Sequence, residues 1–177
     1  MATEIQIPEG VKVEVLDNGE QVKISGKLGS TVKKVNTLLI TARAENGRLV
    51  IEPVEGKEKV KRAILAETAL SNEIKRAIHG VQEGITKHMK VIYSHFPMSF
   101  EIKDKEVYVK NMFGERLPRI AKIVGDTKVE IKGQDVYVSG VDPYDVGQTV
   151  ANLFKLSFLK DKDSRVFQDG IYLLKEE

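Results

Sequence analysis

The sequence VKISGKLGS at residues 22–30 decides the fold, because it returns as VYVKNMFGE at residues 107–115. Both stretches alternate apolar and polar residues, as a half-buried strand does. Both also run into a turn that has a glycine at the matching place, Gly29 in the first copy and Gly114 in the second. A strand and turn that recur in this way indicate an internal repeat.

A second pair of strand patterns repeats in the same order. RLVIEPV at residues 48–54 returns as DVYVSGV at residues 135–141, and each copy is followed by a helical pattern. Two copies of a unit with four strands and a helix predict an α+β fold of two similar domains from an internal duplication, each a small antiparallel β-sheet packed with one α-helix. The predicted domains are residues 1–83 and 84–177. Duplicated binding modules more often hold an extended partner than enclose a reaction pocket.

A change in periodicity locates the first helix, and a capping signal locates the second. From about Lys57 apolar residues recur every three to four positions, which predicts a long amphipathic helix whose end is bracketed by Gly80 and Gly84. Asp142 and Pro143 have the character of an N-cap and a first helical residue, and they predict a second, shorter helix that ends near Ser157. The inward face of this second helix is expected to carry Val146, Val150, Leu153 and Phe154. The outward face of the first is expected to carry mixed charges, among them Glu58, Arg62, Glu67, Glu73 and Arg76.

Composition excludes several classes of function. The 177 residues include no cysteine and no tryptophan, which rules out disulfides, thiolate catalysis and cysteine-based zinc sites. The formal charge of +2 neither requires nor forbids a polyanionic partner. No apolar run approaches the length of a membrane span, and the opening MATEIQIPEG lacks the layout of a signal peptide. We therefore expect a cytoplasmic protein.

The spacing of side chains indicates neither metal binding nor catalysis. His79, His88 and His95 do not form a metal-binding spacing, so we expect them on the surface or in packing, with His88 as a candidate RNA contact. Asp142 and Asp145 are explained by capping of the second helix. We therefore expect no enzyme and no cofactor. Three acids near the C-terminus are expected to be solvated, namely Asp161, Asp163 and Asp169.

Basic residues mixed with aromatic and flexible ones remain as a functional signal in the second half of the chain. Lysine and arginine neutralise phosphates, while asparagine, glycine amides and aromatic faces accommodate splayed bases and sugar edges. The same residues are also common on solvated surfaces, so composition leaves both interpretations open. One cluster is Lys110, Asn111, Met112, Phe113, Arg116 and Arg119 around Gly114, and the other is Lys155, Lys160, Lys162 and Arg165, near Phe167 and Tyr172.

Four segments in order along the chain resemble one protein family. They are GITKHMKVIYSHFP at 84–97, NMFGERLPRI at 111–120, VEIKGQDVYVSGVDPYDVGQTVANL at 129–153 and KDKDSRVFQDGIY at 160–172. Together they are similar to ribosomal large-subunit protein six in its archaeal form. The resemblance implies a structural protein that binds large-subunit rRNA, mainly through its C-terminal domain, near the sarcin-ricin loop and the translation-factor site. It also implies neighbouring ribosomal proteins as partners, and neither a membrane nor a small-molecule substrate.

The resemblance also carries residues over. The family's RNA-contacting tail falls on Lys160, Lys162 and Arg165, and its second-domain turn falls on residues 111–119. No contact is carried over to residues 167–170, because bacterial members have a more basic, glycine-rich tail there. The full set of expected RNA-binding residues is Lys87, His88, Lys90, Lys110, Asn111, Gly114, Arg116, Arg119, Lys155, Lys160, Lys162 and Arg165. The alternative is a protein-protein scaffold that uses the duplicated sheets without direct RNA contact.

Overall fold

The chain divides into two compact units, residues 1–84 and 85–177. The structure is a computed structural model, and it describes residues 3–45, 47–56, 60–159, 163 and 165–174. Each unit is mixed α and β, with antiparallel sheets and one helix. The predicted α+β class with a duplicated sheet-and-helix unit is therefore confirmed.

The first unit has six strands before its helix within the described residues, two more than the repeat predicts. Its strands form two antiparallel three-stranded sheets, β2-β3-β4 and β1-β6-β5. The elements are β1 (Thr3–Gln6), β2 (Lys12–Leu16), β3 (Gln21–Ser25), β4 (Ser30–Lys34), β5 (Ile40–Glu45), β6 (Arg48–Pro53) and α1 (Lys61–Glu83).

The second unit repeats this order and then adds a strand. Its sheets are β8-β9-β10 and β11-β12-β7-β13, all antiparallel. When the six strands before each helix are compared in chain order, the repeated motifs lie on corresponding strands. The first motif lies on β3 and β9, and the second on β6 and β12. The elements are β7 (Ile85–Ile92), β8 (Ser99–Lys103), β9 (Glu106–Lys110), β10 (Arg119–Lys122), β11 (Lys128–Lys132), β12 (Asp135–Gly140), α2 (Pro143–Leu156) and β13 (Gly170–Leu173).

Local sequence signals set the end of α1 and the start of α2. The helix α1 ends at Gly84, whose φ of 77° is open to glycine and whose N–H donates to the carbonyl of Gly80 at 3.0 Å. The Asp142 side chain caps α2 by accepting from the Tyr144 N–H at 2.9 Å, and Pro143 is the first helical residue. The predicted end of α1 and the predicted start of α2 are confirmed, whereas α1 begins at Lys61, later than the change of pattern predicts.

Three side chains lie where the sequence does not predict them. Phe154 is 51% exposed, because Leu156 rather than Phe154 completes the buried stripe of α2. Glu67 is buried, since the Thr3 hydroxyl donates to its Oε1 at 2.5 Å and provides a partner that helical periodicity does not reveal. Asp169 is buried as well, and it accepts from the Ser94 N–H at 3.0 Å. The predictions for these three residues are wrong.

The core of the second unit surrounds the inner face of α2. That face packs against β7, β10, β12 and β13. The turn after β9 also contributes to this core through two of its own side chains. Its largest contributors are Met89, Val91, Val107, Val109, Met112, Phe113, Val136, Val138, Leu153 and Ile171.

Candidate nucleic-acid interface

The turn after β9, residues 111–116, has an unusual backbone conformation. Asn111, Phe113 and Gly114 have φ values of 59°, 52° and 76°, all in the left-handed region. For Phe113 this conformation costs roughly 1–2 kcal/mol, whereas asparagine adopts it more readily. Burial of Met112 and Phe113 in the core offsets that cost, since apolar side chains of this size gain ~1.5–3 kcal/mol on full burial. We call residues 111–116 the 111–116 turn.

The loop before β8 holds the 111–116 turn from one side. The Asn111 side chain donates from Nδ2 to the carbonyl of Pro97 at 3.1 Å. A Cβ at Gly114 would lie 3.1 Å from the ring of Phe96, so the glycine makes room for this ring. The sequence predicts Asn111 and Gly114 as RNA-binding residues. In the structure, both make contacts that fix the turn within the protein.

Arg119, the first residue of β10, holds the turn from the other side. Its Nε and Nη2 donate to the two carboxylate oxygens of Glu115 at 2.7 and 2.5 Å. Its Nη1 donates to the carbonyl of Leu156 and, at 3.0 Å, to that of Phe158. The guanidinium also lies over the ring of Phe113, 5.1 Å from the centroid. The hydrogen-bonded Glu115 carboxylate raises the pKa of Arg119 above its ordinary value, against an opposing effect of burial.

Two cations close in sequence to the partners of Arg119 are unpaired within the described part of the chain. Arg116 is exposed and its side chain has no hydrogen bond or ion pair with any described residue. Lys155 lies exposed in the last turn of α2. Its ammonium group has no hydrogen bond or ion pair with any described residue. Because Arg119 bonds to the neighbours of both, Glu115 and Leu156, the structure brings Arg116 and Lys155 to the same region of the second unit.

Lys110 shares its charge with a carboxylate on the next strand. Its Nζ lies 2.8 Å from Glu101 Oε2, and Lys103 Nζ lies 3.4 Å from the same oxygen. The hydrogen bond from Lys110, followed by the charge of Lys103, lowers the pKa of Glu101 below its usual value of 4.5. Lys110 is therefore partly neutralised by the protein.

The three expected RNA contacts on β7 have different surroundings. The ring of His88 stacks on that of Tyr137, with centroids 4.5 Å apart and planes within 7° of parallel. Its Nε2 lies 2.8 Å from Asp135 Oδ1. Lys90 lies exposed on the same face of the strand, while Lys87 is half-buried on the opposite face with Met89. His88 is thus held by two partners on β12.

Only part of the predicted tail falls within the described residues. Arg165 is exposed, and its Nε lies 3.3 Å from Asp163 Oδ1, which also accepts from the Arg165 N–H at 2.9 Å. The predictions for Lys160 and Lys162, and the solvated position of Asp161, lie outside the described residues. After this tail the chain returns as β13, which pairs with β7.

Glu115 and Phe96 have structural roles that sequence reasoning missed. Glu115 stands four positions before Arg119, a spacing that indicates an ion pair only in a helix, whereas these residues belong to a turn and a strand. Phe96 meets Gly114 through folding of two separate loops, so neither residue signals the other. Both contacts depend on tertiary structure.

Across the described residues, no group of three or more histidine, aspartate or glutamate side chains is arranged to hold a metal ion. Neither α1 nor α2 has the length and apolar character needed to cross a membrane, as far as their described residues show.

Comparison with known proteins identifies the family. No family model matches the chain. Large ribosomal subunit protein uL6 of Staphylothermus marinus is 42% identical over 174 residues, which cover 96% of this chain and 91% of that protein. The uL6 proteins of Thermoplasma acidophilum and Methanobrevibacter smithii are 41% and 39% identical, over 98% of this chain and 94% and 95% of their own lengths. Such identity along nearly the whole of each chain confirms the resemblance in the motifs, and the chain belongs to the uL6 family of archaeal large ribosomal subunit proteins.

Proposed function

We propose that this protein is a structural, non-enzymatic constituent of the large ribosomal subunit in the cytoplasm, and that it binds large-subunit rRNA mainly through its second unit. The names of its relatives support the assignment to the subunit. The observation that carries the RNA-binding part is the 111–116 turn, which Arg119 bonds to the end of α2, where Lys155 lies. The turn carries Arg116, an exposed cation with no ion pair among the described residues. In this proposal, which follows the family resemblance, the protein binds near the sarcin-ricin loop and the translation-factor site.

The surroundings of the expected RNA-binding residues suggest that they divide by role. Exposed cations without an ion pair among the described residues are free to neutralise phosphates, and these are Lys90, Arg116 and Lys155. Lys110 and Arg165 already lie beside a carboxylate, so a phosphate has to compete for them. Asn111, Gly114, Arg119 and His88 make contacts within the protein that shape the surface. Lys87, Lys160 and Lys162 stay predictions from sequence.

We also propose that the two units are separate domains, with the boundary that the sequence places between residues 83 and 84. The first domain supports the geometry of the second or contacts neighbouring ribosomal proteins. Arg43 is an exposed arginine on β5 of this first unit and has no ion pair among the described residues. It serves as a matched control for Arg116.

Salt titration of rRNA binding tests the proposed function. For RNA held through phosphates, log affinity falls linearly with log salt, by about 0.7 to 0.9 for each neutralised phosphate. We expect Arg116→Ala to weaken binding to a large-subunit rRNA fragment. It should also reduce this slope by about 0.7 to 0.9, the amount expected for one phosphate. Arg43→Ala should change neither quantity. Affinity that does not respond to salt would favour the alternative, a scaffold that binds partner proteins through its sheets.

The basic tail allows a second test of the same function. Replacing Lys160, Lys162 and Arg165 together with alanine should weaken rRNA binding while the melting temperature stays nearly constant. The sequence predicts a solvated tail, and solvated cations contribute little to folding. Equal affinity in this triple variant would remove the tail from the interface and leave the surface around Arg116.

A further inference from the structure

Arg119 connects two segments that are far apart in the sequence. One is the 111–116 turn, through the two hydrogen bonds to Glu115. The other is the end of α2 and the residues after it, through the carbonyls of Leu156 and Phe158, which lie 37 and 39 positions further along the chain. One side chain therefore bonds to both ends of the proposed RNA-binding surface.

The hydrogen bonds leave Arg119 little capacity for a phosphate. A guanidinium has five N–H groups, and the bonds to Glu115, Leu156 and Phe158 use four of them. The side chain is only 23% exposed, and the ring of Phe113 covers one face of the guanidinium. A phosphate would have to displace a carboxylate that already binds with two oxygens. It would also leave carbonyls at the helix end without their donor.

We propose that Arg119 is a positioning residue, which fixes the 111–116 turn against the end of α2 so that Arg116 and Lys155 form one preorganised surface for RNA phosphates. The inference rests on the proposed function and assigns Arg119 a role different from phosphate contact. Preorganisation raises affinity because less conformational freedom is lost on binding. The positioning role explains why residue 119 is an arginine, since only the planar guanidinium reaches a carboxylate and two carbonyls at once.

Hydrogen exchange on the free protein tests the coupling without any RNA. In Arg119→Lys the charge is kept, but a single ammonium group cannot make the same set of bonds. We expect amide protection to fall together in residues 111–116 and in residues 156–159, while the β11–β12 hairpin keeps its protection. Loss of protection in only one of the two segments, or in neither, would overturn the coupling.

Binding to a large-subunit rRNA fragment tests the positioning role. We expect Arg119→Lys to weaken affinity by at least about fivefold, with the salt slope unchanged because no phosphate contact is lost. The matched control Arg116→Lys keeps a cation at an exposed site and should bind nearly as the wild type does. Wild-type affinity in Arg119→Lys, or a slope reduced by the share of one phosphate in Arg119→Ala, would overturn the inference.

Glu115→Gln gives a second variant, in which the two interpretations predict opposite signs. If Arg119 positions the surface, loss of the carboxylate loosens the turn and weakens RNA binding. If Arg119 contacts a phosphate, loss of the competing carboxylate strengthens binding, and that result would overturn the proposal. Failure of the proposed function is distinguishable, because the wild-type protein itself would then show no salt-dependent affinity for rRNA. The exchange experiment would still decide the coupling.

Discussion

At the scale of single residues, Gly114 is constrained by both its backbone and its neighbour. Its φ is 76°, and a Cβ there would lie 3.1 Å from the Phe96 ring. Gly133 has a similar φ of 63° but nothing within 4 Å of a Cβ, so it is a matched control. We expect Gly133→Ala to reduce the free energy of unfolding by roughly 1 kcal/mol, and Gly114→Ala by about 1 kcal/mol more. Urea unfolding measures both.

A second substitution tests whether the Phe96 ring causes the larger loss of unfolding free energy in Gly114→Ala. In a Phe96→Ala background the ring is gone, so the two glycine variants should become equally destabilising. An excess that persists without the ring would mean that Phe96 is not what constrains this position.

Glu101 is a residue whose titration reports on the basic strand beside it. Lys110 and Lys103 lower its pKa from 4.5, so its contribution to stability is present above pH 4.5 and is lost as the pH falls through the lower, folded-state value. We expect a carboxyl-carbon NMR titration to give a midpoint below 4.5 for Glu101, and Lys110→Met to move this midpoint back towards 4.5. Lys105→Met, which removes a lysine paired instead with Asp126, should leave it in place. An unmoved midpoint in Lys110→Met would contradict the pairing.

At the scale of elements, β13 is the addition that distinguishes the second unit from the first. Ile171 is fully buried opposite Val91, while Leu173 on the same short strand is 50% exposed. We expect Ile171→Ala to lower the free energy of unfolding by about 2–4 kcal/mol and Leu173→Ala by less than about 1 kcal/mol. Urea unfolding followed by tyrosine fluorescence distinguishes them. Similar small losses in both variants would mean that β13 adds little to the core.

Local signals predicted most elements, because turns and caps depend on residues close in sequence. The glycine end of α1 at Gly84 and the capped start of α2 at Asp142 are examples. Strand β4 shows why others were missed: its Lys33 is buried and lies 3.2 Å from Glu73 on α1, so its pattern of polar residues does not look like a strand with one buried face. The partner is far away in the chain.

The same distinction separates the predictable and unpredictable parts of the candidate site. Arg116 beside a glycine turn could be picked out as a cation, because exposure of a charged residue is the default. The role of Arg119 could not, since its partners at Leu156 and Phe158 belong to another element. Chemistry alone makes the two arginines equivalent, and tertiary contacts make them different.

At the scale of the whole molecule, the two copies have diverged in chemistry more than in topology. The chain has five tyrosines, six phenylalanines and no tryptophan, and every aromatic ring of these types lies beyond residue 84. The first unit packs its core with aliphatic side chains such as Ile24, Leu49 and Ile74. Stacking of bases on tyrosine or phenylalanine rings therefore needs residues of the second unit. This division supports the proposal that the second unit is the main RNA-binding part.

The distribution of tyrosines also makes a test of independence possible. The buried core around α2 draws all its members from residues 89–171, and the chain separates into its compact units after Gly84. We therefore expect a fragment of residues 85–177 to unfold cooperatively in urea, with a midpoint close to that of the tyrosine signal in the full chain. It should also keep most of the rRNA affinity, whereas residues 1–84 should bind only weakly. A fragment 85–177 without a cooperative transition would show that the second unit needs the first in order to fold, and that the duplication produced one domain and not two.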